Sequence, residues 1–551
     1  MSGPMLVFEP SGQRIYVSHA TTVLDAARSL GLPIPTDCGG HGTCGKCRIK
    51  FQPAPFPTQR DLQHLSKDEL AEGIRLACEH VIETDTRVVL PFPEEQAKIL
   101  VWGSSKAAVQ KLDKGLVGQL GVAIDLGTTT IVAYLMDLGT GSQIEQQAML
   151  NPEVAYGEDI MTRMAYVMNA HEGGEELRQC VLRGIDVLLT RLISAAGVLP
   201  DTVSRISLVG NTAMHHLFLG LDIHGLSLAP YRPAMLKSLT KSSDEIGLKS
   251  VPKAQVYVAP NIEGFIGSDT VGLIVSQGLG SVKGTVMGID IGTNAEIVLS
   301  VRGRLICCSA AAGPAFEGAR IRLGMRGEEG AIEHVRINNP SEPAELSVIG
   351  QASPRGICGS AIVDIVAELL RTGLVDRTGR MRDSKRIVHE GGYGLCYIVA
   401  EPGESDAGRR IVFTQEDVRQ VQLAKAAIAT GAGVLMDECG VTSYDIDALL
   451  LAGAFGNYIR PESALAIGLL PAIPLDRIVP VGNAAGEGAK RFLLSLKERA
   501  VAETLSRSVK YVNLAAHPAF ADRFLEATAI GQAGDGSNHS HVRIANHTSN
   551  P

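Results

Sequence analysis

The sequence predicts a multidomain protein: a small α+β domain at the N-terminus, then a larger, internally duplicated α/β unit. Three observations carry this. Four cysteines, Cys38, Cys44, Cys47 and Cys78, lie close together near the N-terminus, three of them in one glycine-rich loop. Two Asp-x-Gly-Thr turns, at Asp125 and Asp290, stand 165 residues apart, each between two apolar stretches. A third apolar stretch, from Asp447, runs into the small-residue sequence Ala452-Gly453-Ala454-Phe455-Gly456-Asn457.

The N-terminal elements follow from local pattern. Residues 5–9 and 14–19 read as two strands around a Pro-Ser-Gly turn. Residues 22–30 read as a helix stopped by Gly31. Arg48–Phe51 reads as a strand, Ser66 with Glu69 as a capping box opening a short helix, and Val81–Leu90 as a closing strand. Between the first helix and the third strand runs Cys38-Gly-Gly-His-Gly-Thr-Cys44-Gly-Lys-Cys47, with Cys78 following alone. This C-x5-C-x2-C spacing with a distant fourth cysteine is close to the plant-type [2Fe–2S] spacing. A cluster needs backbone wrapped closely around sulfur with N–H groups aimed at it, and Gly39, Gly40, Gly42 and Gly45 permit that. Zinc favours paired C-x2-C knuckles, and His80, two residues after Cys78, keeps a zinc reading open. Disulfides fit poorly, because no secretory signal precedes the loop and ten cysteines are few for 551 residues.

Composition frames the rest. Hydrophobic content of 45% and charged content of 20% describe an ordinary globular chain of two to four domains. A net charge of −8 gives no electrostatic reason to expect nucleic acid. The apolar runs are too short and too often broken by charge to span a membrane. Free cysteines and an assembled cluster point to a cytoplasmic location. Residues 94–118 read as a linker, with an apolar patch at Ile99–Trp102 that could dock on a neighbour. The tail at 530–551 is polar and reads as disordered.

The two Asp-x-Gly-Thr turns point to ATP and Mg²⁺. An aspartate at a strand end, here Asp125 or Asp290, can hold Mg²⁺ through water. Gly127 and Gly292 let the backbone approach a phosphate, and Thr128, Thr129, Thr293 and Asn294 offer hydroxyl, amide and N–H groups to its oxygens. Facing hairpins of this kind can clamp a nucleotide's phosphates from both sides. Gly453, Ala454 and Gly456 form a small-residue loop able to lie flat against the nucleoside. Water activation at the γ-phosphate needs an acceptor, for which Glu263 and Asp269 are the candidates. Asn211, at a strand end, reads as polar lining. His215 and His216 read as helix packing, and Cys180, Cys307, Cys308, Cys358, Cys396 and Cys439 as buried small residues. Gly431 and Gly433 in the predicted helix 416–436 imply close approach of the nucleotide or a neighbouring element.

Residues 1–93 resemble the β-grasp [2Fe–2S] ferredoxin, nearer its adrenodoxin branch in spacing. The three nucleotide pieces resemble the actin, sugar kinase and Hsp70 superfamily, which implies an ATPase with halves at 119–275 and 283–495. Further stretches extend the likeness: Asn-Pro-Glu-Val-Ala-Tyr-Gly-Glu-Asp-Ile (151–160), Val-Gly-Asn-Thr-Ala-Met-His-His-Leu (209–217), Ala-Ala-Gly-Pro-Ala-Phe-Glu-Gly-Ala-Arg-Ile (311–321) and Val-Gly-Asn-Ala-Ala-Gly-Glu-Gly-Ala (481–489). Together with the ferredoxin part, they make nearly the whole chain resemble the reductive activators of corrinoid proteins. The resemblance implies that a [2Fe–2S] centre passes an electron to a corrinoid partner, returning Co(II) cobalamin to the Co(I) form that accepts methyl groups. Some members carry an extra segment where this chain has only 94–118, which leaves a homodimer open. No G-x-G-x-x-G follows a strand, so an external reductase or ferredoxin is implied as donor. Two rivals are an ATP-dependent activator of a radical dehydratase or reductase, and a non-catalytic redox sensor. The first would carry one [4Fe–4S] between two subunits, against which the four-cysteine loop on its own domain argues.

Overall fold

The computed structural model describes residues 3–532 apart from 10, 11, 19, 31, 33, 37, 66, 91–102, 105–111 and 407. The Gly31 helix stop, the Ser66 capping box, the Ile99–Trp102 patch and the tail beyond 532 lie outside the described residues. Five strands, β1 (Met5–Glu9), β2 (Gln13–Tyr16), β3 (Arg48–Gln52), β4 (Ile74–Leu76) and β5 (Thr86–Val89), form one sheet in the order β2-β1-β5-β3-β4. β1 runs parallel to β5, and the other pairs are antiparallel. The helix Val23–Leu30 buries Val23, Leu24, Ala26 and Ala27 in the same core as Leu6, Phe8, Ile49 and Val88 of the sheet. The closing strand is shorter than its sequence suggested. Val81 makes a single bridge to Thr22, and the ladder begins only at Thr86, beside Asp85, whose Oδ1 accepts the Met5 N–H.

The rest of the chain is built twice. The first half has β6 (Leu120–Leu126), β7 (Thr130–Asp137), β8 (Gln143–Leu150), β9 (Val203–Gly210), β10 (Leu239–Ser242) and β11 (Gln255–Val258), in the order β10-β11-β9-β6-β7-β8. The second half begins with β12 (Thr285–Ile291), β13 (Ala295–Val301) and β14 (Arg304–Ala310). Two small sheets follow, one of β15 (Ala331–Arg336), β16 (Glu345–Val348) and β17 (Gly356–Ile357), the other of β18 (Ile387–Glu390), β19 (Gly394–Ala400) and β20 (Ile411–Thr414). β21 (Ala448–Ala452), β22 (Ile478–Gly482) and β23 (Lys510–Tyr511) complete the main sheet in the order β22-β21-β12-β13-β14-β23. In each half an antiparallel meander (β6-β7-β8, β12-β13-β14) is extended by two parallel crossover strands (β9 and β11, β21 and β22). The shared topology is the structural signature of duplication, and it brings the first meander turn of both halves to equivalent places. The second main sheet also draws on chain past residue 495, since β23 pairs with β14.

A shared core joins the halves. Ala123, Val132 and Tyr134 of the first sheet and Val298, Cys307 and Leu450 of the second line one cluster, filled by the helices Ser268–Ser276 and Ala484–Leu494. These helices cross at Gly272 and Gly488. A Cβ on Gly488 would fall inside the Gly272 backbone, and one on Gly272 would stand 2.9 Å from the Ala485 carbonyl oxygen. The long helix Gln415–Cys439 is capped by Thr414 and Asp417. Its Gly431 abuts Ile297 and Cys308, and Gly433 abuts Arg523, so these glycines serve packing on neighbouring protein.

The crossing yields a first prediction. Gly488→Ala forces two backbones apart and lowers stability by about 1–3 kcal/mol, the usual range for overpacking. The exposed Gly391, where an added Cβ would meet no atom within 4 Å, accepts alanine, with an effect within about 0.5 kcal/mol. Urea unfolding of the two variants beside the wild type measures this, and equal midpoints would refute the close-crossing account.

Candidate cluster loop and nucleotide cleft

The cysteine loop is bent by four glycines in the left-handed region, Gly39, Gly40, Gly42 and Gly45, with φ of 64°, 99°, 71° and 67°. Side-chain-bearing residues resist that conformation, and a run of such bends turns successive N–H groups toward a concave side. The loop and the strand after it group the thiols in two pairs. Cys47 and Cys78 Sγ lie 3.3 Å apart, and Cys38 and Cys44 are hydrogen-bonded to each other. Each pair holds one thiol shifted toward thiolate. Cys38 is lowered to about 3, first by the Cys44 hydrogen bond, while Cys44 is raised. Cys78 is lowered by the Cys47 thiol, while Cys47 is raised. Two thiol pairs side by side fit a two-iron centre, in which each iron takes two cysteines. His80 is directed elsewhere: its Nε2 lies 2.6 Å from Asp61 Oδ2, and Asp61 also accepts the Leu76 and Thr58 N–H groups.

The second site lies where β6 and β12 end. Asp125 and Asp290 are the penultimate residues of these strands, and the turns that follow close through Gly127 N–H to Thr130 O and Gly292 N–H to Asn294 O, both 3.0 Å. Thr129 Oγ1 donates to Glu317 Oε2 at 2.8 Å and Thr293 Oγ1 to Glu317 Oε1 at 2.6 Å. One carboxylate therefore ties the two hairpins together across the cleft. Thr128 Oγ1 accepts from Asn211 Nδ2 at 2.9 Å. Asp125 Oδ2 accepts from Asn483 Nδ2 at 2.8 Å, and Asn483 also caps the helix Ala484–Leu494 by accepting from Gly486 N–H.

The third piece departs from its expected form. The sequence after β21 forms a short helix, Gly453–Tyr458, in place of an open loop. Gly453 begins it at φ 81°, where a Cβ would strike Asp290 Oδ1. Only glycine fits there, so this helix start sits against the second aspartate. Gly456 packs on the Leu451 backbone, and Ala454 lies between in the same helix. Phe455 stacks on Phe316 with centroids 4.8 Å apart, which binds the helix to the Glu317 turn.

Electrostatics single out the same place. Asp290 is pushed up to about 8 by burial, then by Asp269 and Asp125. Asp269 is raised to about 7 by burial and by Asp125, against its Thr270 hydrogen bonds. Asp125 is raised to about 6 by burial, against the Asn483 bond. Glu296, opposite Asp290 in the β12–β13 register, is raised well above its ordinary value by burial and by both Asp269 and Asp290. Four carboxylates raised by burial, three of them further raised by others of the set, suit a cation. Glu263 is not brought into this group: it is exposed, with Cys307 and Tyr511 as its neighbours. His215 and His216 are buried in helix packing, and His215 is lowered to about 3 by burial. Sequence reading missed Glu296, Glu317 and Asn483. The signals were a lone carboxylate in the apolar stretch after Asn294, and the polar residues inside segments 311–321 and 481–489.

Comparison with known proteins places all three parts. Residues 7–83 match the 2Fe-2S iron-sulfur cluster binding domain, 120–281 the RACo middle region, and 284–540 the family described as the C-terminal domain of RACo, the ASKHA domain. The chain is 30% identical to the corrinoid activation enzyme RamQ of Eubacterium limosum, over 94% of this chain and 98% of that protein. It is 24% identical to the [Co(II) methylated amine-specific corrinoid protein] reductase of Methanosarcina barkeri, over 68% of this chain and 70% of that protein. A solved structure, the reductive activator for corrinoid, iron-sulfur protein, superposes with a TM-score of 0.70 at 30% identity, covering 96% of this chain and 98% of its own.

Two predictions come from this geometry. Cys44→Ser removes one member of a thiol pair, so the purified variant loses its red-brown absorbance and most of its iron. Retention of two irons per chain would refute the ligand assignment. The second concerns pH in magnesium-free protein. A carboxyl held protonated by folding stabilises most below its unfolded value and loses that contribution as pH rises through its folded value. Asp290 therefore makes thermal stability fall from about pH 4 to about pH 8. Asp290→Asn carries no such charge and gives a flatter profile. Identical profiles for both proteins would refute it.

Proposed function

Because the chain belongs to the family of reductive activators of corrinoid proteins, we propose that it returns the cobalt of a corrinoid partner protein from Co(II) to Co(I), in an ATP-dependent cycle that supports methyl transfer. The carrying observation is the union on one chain of a paired-thiol loop and a two-hairpin carboxylate cleft. When bound, the [2Fe–2S] cluster supplies single electrons near roughly −400 mV for its type. The Co(II)/Co(I) step of the substrate lies lower, so transfer needs help from a change of state. ATP can give that help only by binding two states of the protein unequally.

The residues divide the work. Cys38, Cys44, Cys47 and Cys78 hold the cluster. Asp125 and Asp290 would hold Mg²⁺, which would neutralise phosphate charge. Thr128, Thr129, Thr293 and Asn294 donate to phosphate oxygens, with Gly127 and Gly292 giving the backbone its approach. The phosphates compete with Glu317 for the two threonine hydroxyls, so nucleotide entry and the cross-cleft tie exclude each other. Asp269, raised to about 7, is suited to accept a proton from the attacking water near neutral pH. Gly453, Ala454 and Gly456 flank the nucleoside.

The electron arrives from a separate reductase or ferredoxin, since the chain has no dinucleotide-binding fingerprint. No helix among the described residues is long and apolar enough to cross a membrane. A cytoplasmic setting suits a cluster loop of four cysteines and six further cysteines outside any disulfide.

Cobalt absorbance followed in time, with a cognate corrinoid protein in excess, tests the reading. The wild type sustains Co(I) formation only with Mg-ATP. Cys78→Ser stops electron passage while nucleotide still binds. Asp125→Ala leaves the cluster reducible by dithionite but cuts ATP hydrolysis about tenfold or more, as loss of aligned metal contacts does. Equal reduction with and without ATP would overturn the coupling and favour a redox sensor.

A further inference from the structure

The cluster loop and the phosphate turn lie on different domains, yet hydrogen bonds at both ends of the short segment 151–155 join them. At the nucleotide end, the segment 151–155 is strapped to the first phosphate turn. Asn151 N–H donates to Thr129 O at 2.8 Å, and Asn151 Nδ2 donates to Gly127 O at 2.9 Å. Arg163 Nη2 donates to Thr128 O at 2.6 Å, and Arg163 Nη1 to Glu153 Oε2 at 3.1 Å. Arg163 and Glu153 are both fully buried. At the cluster end stands Arg28, on the helix Val23–Leu30. Its Nε donates to Ala155 O at 2.8 Å, and its Nη2 donates to Gly39 O, next to Cys38, at 2.6 Å. Its guanidinium also lies 4.9 Å from the Tyr156 ring centroid, and its Nη1 pairs with Asp25 at 3.0 Å. Gly39 itself fits against the Tyr156 carbonyl, 3.1 Å from where a Cβ would stand.

We propose that Arg28 is the positioning residue that seats the cluster loop on the 151–156 segment, so that nucleotide at the phosphate turn alters how the loop is held. The planar guanidinium suits this task because separate N–H groups address two carbonyls at once, one on each domain. Its partner segment cannot shift alone. Asn151 and the buried Arg163–Glu153 pair fasten it to the backbone of Gly127, Thr128 and Thr129, the residues assigned to phosphate contact. Movement of that turn by a phosphate is therefore passed to Ala155 O, and from there through Arg28 to Gly39. This deepens the ATP-dependent reading given above and rests on it. Coupling of this kind is reciprocal, so seating of the loop also alters nucleotide affinity.

Hydrogen–deuterium exchange of the cluster-loaded protein, with and without Mg²⁺ and a non-hydrolysable ATP analogue, tests it without any corrinoid protein. In the wild type, nucleotide changes exchange in residues 38–47 by about fivefold or more, the lower end of ordinary coupling, and in Arg28→Ala by less than about twofold. Arg28→Lys, which keeps the charge but loses the fork, falls between. Tyr156→Leu removes the ring seat from the other side and leaves the cluster domain's own residues unchanged, so it serves if Arg28→Ala fails to hold its cluster. Nucleotide binding to the cleft, read by calorimetry, persists in all three variants. A full nucleotide response in both Arg28→Ala and Tyr156→Leu, or none in the wild type, overturns the assignment. The outcomes separate from the function itself: a wild type that needs ATP for corrinoid reduction but shows no response at 38–47 leaves the function standing and removes Arg28 from it.

Discussion

Asp125, Asp269, Asp290 and Glu296 share one cleft, and the surrounding structure is arranged around the repulsion among them. Burial raises all four, and repulsion from neighbours in the set raises Asp269, Asp290 and Glu296 further, so the charges cannot all ionise without a compensating partner. A cation would relieve the repulsion, in keeping with the metal–phosphate role proposed for the cleft. The duplicated meander puts one aspartate at each strand end. The Gly272–Gly488 crossing then sets how near the two ends come. A larger residue at that crossing would spread the halves and weaken every contact that spans the cleft.

Glu317 ties the two halves of this arrangement together. It accepts from both threonine hydroxyls, at 2.8 and 2.6 Å, the same groups proposed above to meet phosphate oxygens. Replacing one acceptor by the other changes which parts of the cleft are tied together. The Phe316–Phe455 stack carries that change to the helix that begins on Asp290. The proposed nucleotide contacts at both halves and at the third element are thus linked to one another through Glu317 and the Phe316–Phe455 stack.

The cluster domain is built on a different logic. Its loop is held by backbone conformation, with four glycines at angles that side-chain-bearing residues resist. Its seat on the larger unit includes Arg28, which reaches both the loop and the neighbouring domain. A loop fixed within itself but seated outside through side-chain hydrogen bonds suits an electron carrier that must meet a donor and a bulky acceptor in turn.

The chemistry of both sites is written in short stretches of chain. The spacing of Cys38, Cys44 and Cys47 and the Asp-x-Gly-Thr turns are local patterns, and local patterns carry their function wherever the fold puts them. The ferredoxin-like strands and the repeated hairpins were legible for the same reason, because side-chain alternation and turn residues act over a few positions. What faces these groups was not legible, because it is fixed by packing between distant segments. Asn483 reaches Asp125 across 358 positions, Glu317 reaches Thr129 across 188, and Arg28 reaches Ala155 across 127. Packing also withdrew Glu263, which lies near Asp269 in sequence but is exposed beside Tyr511, and turned an expected loop after β21 into a helix start. Spacing along the chain specifies which groups are present, whereas their charge state and partners depend on distances that exist only after distant strands have packed.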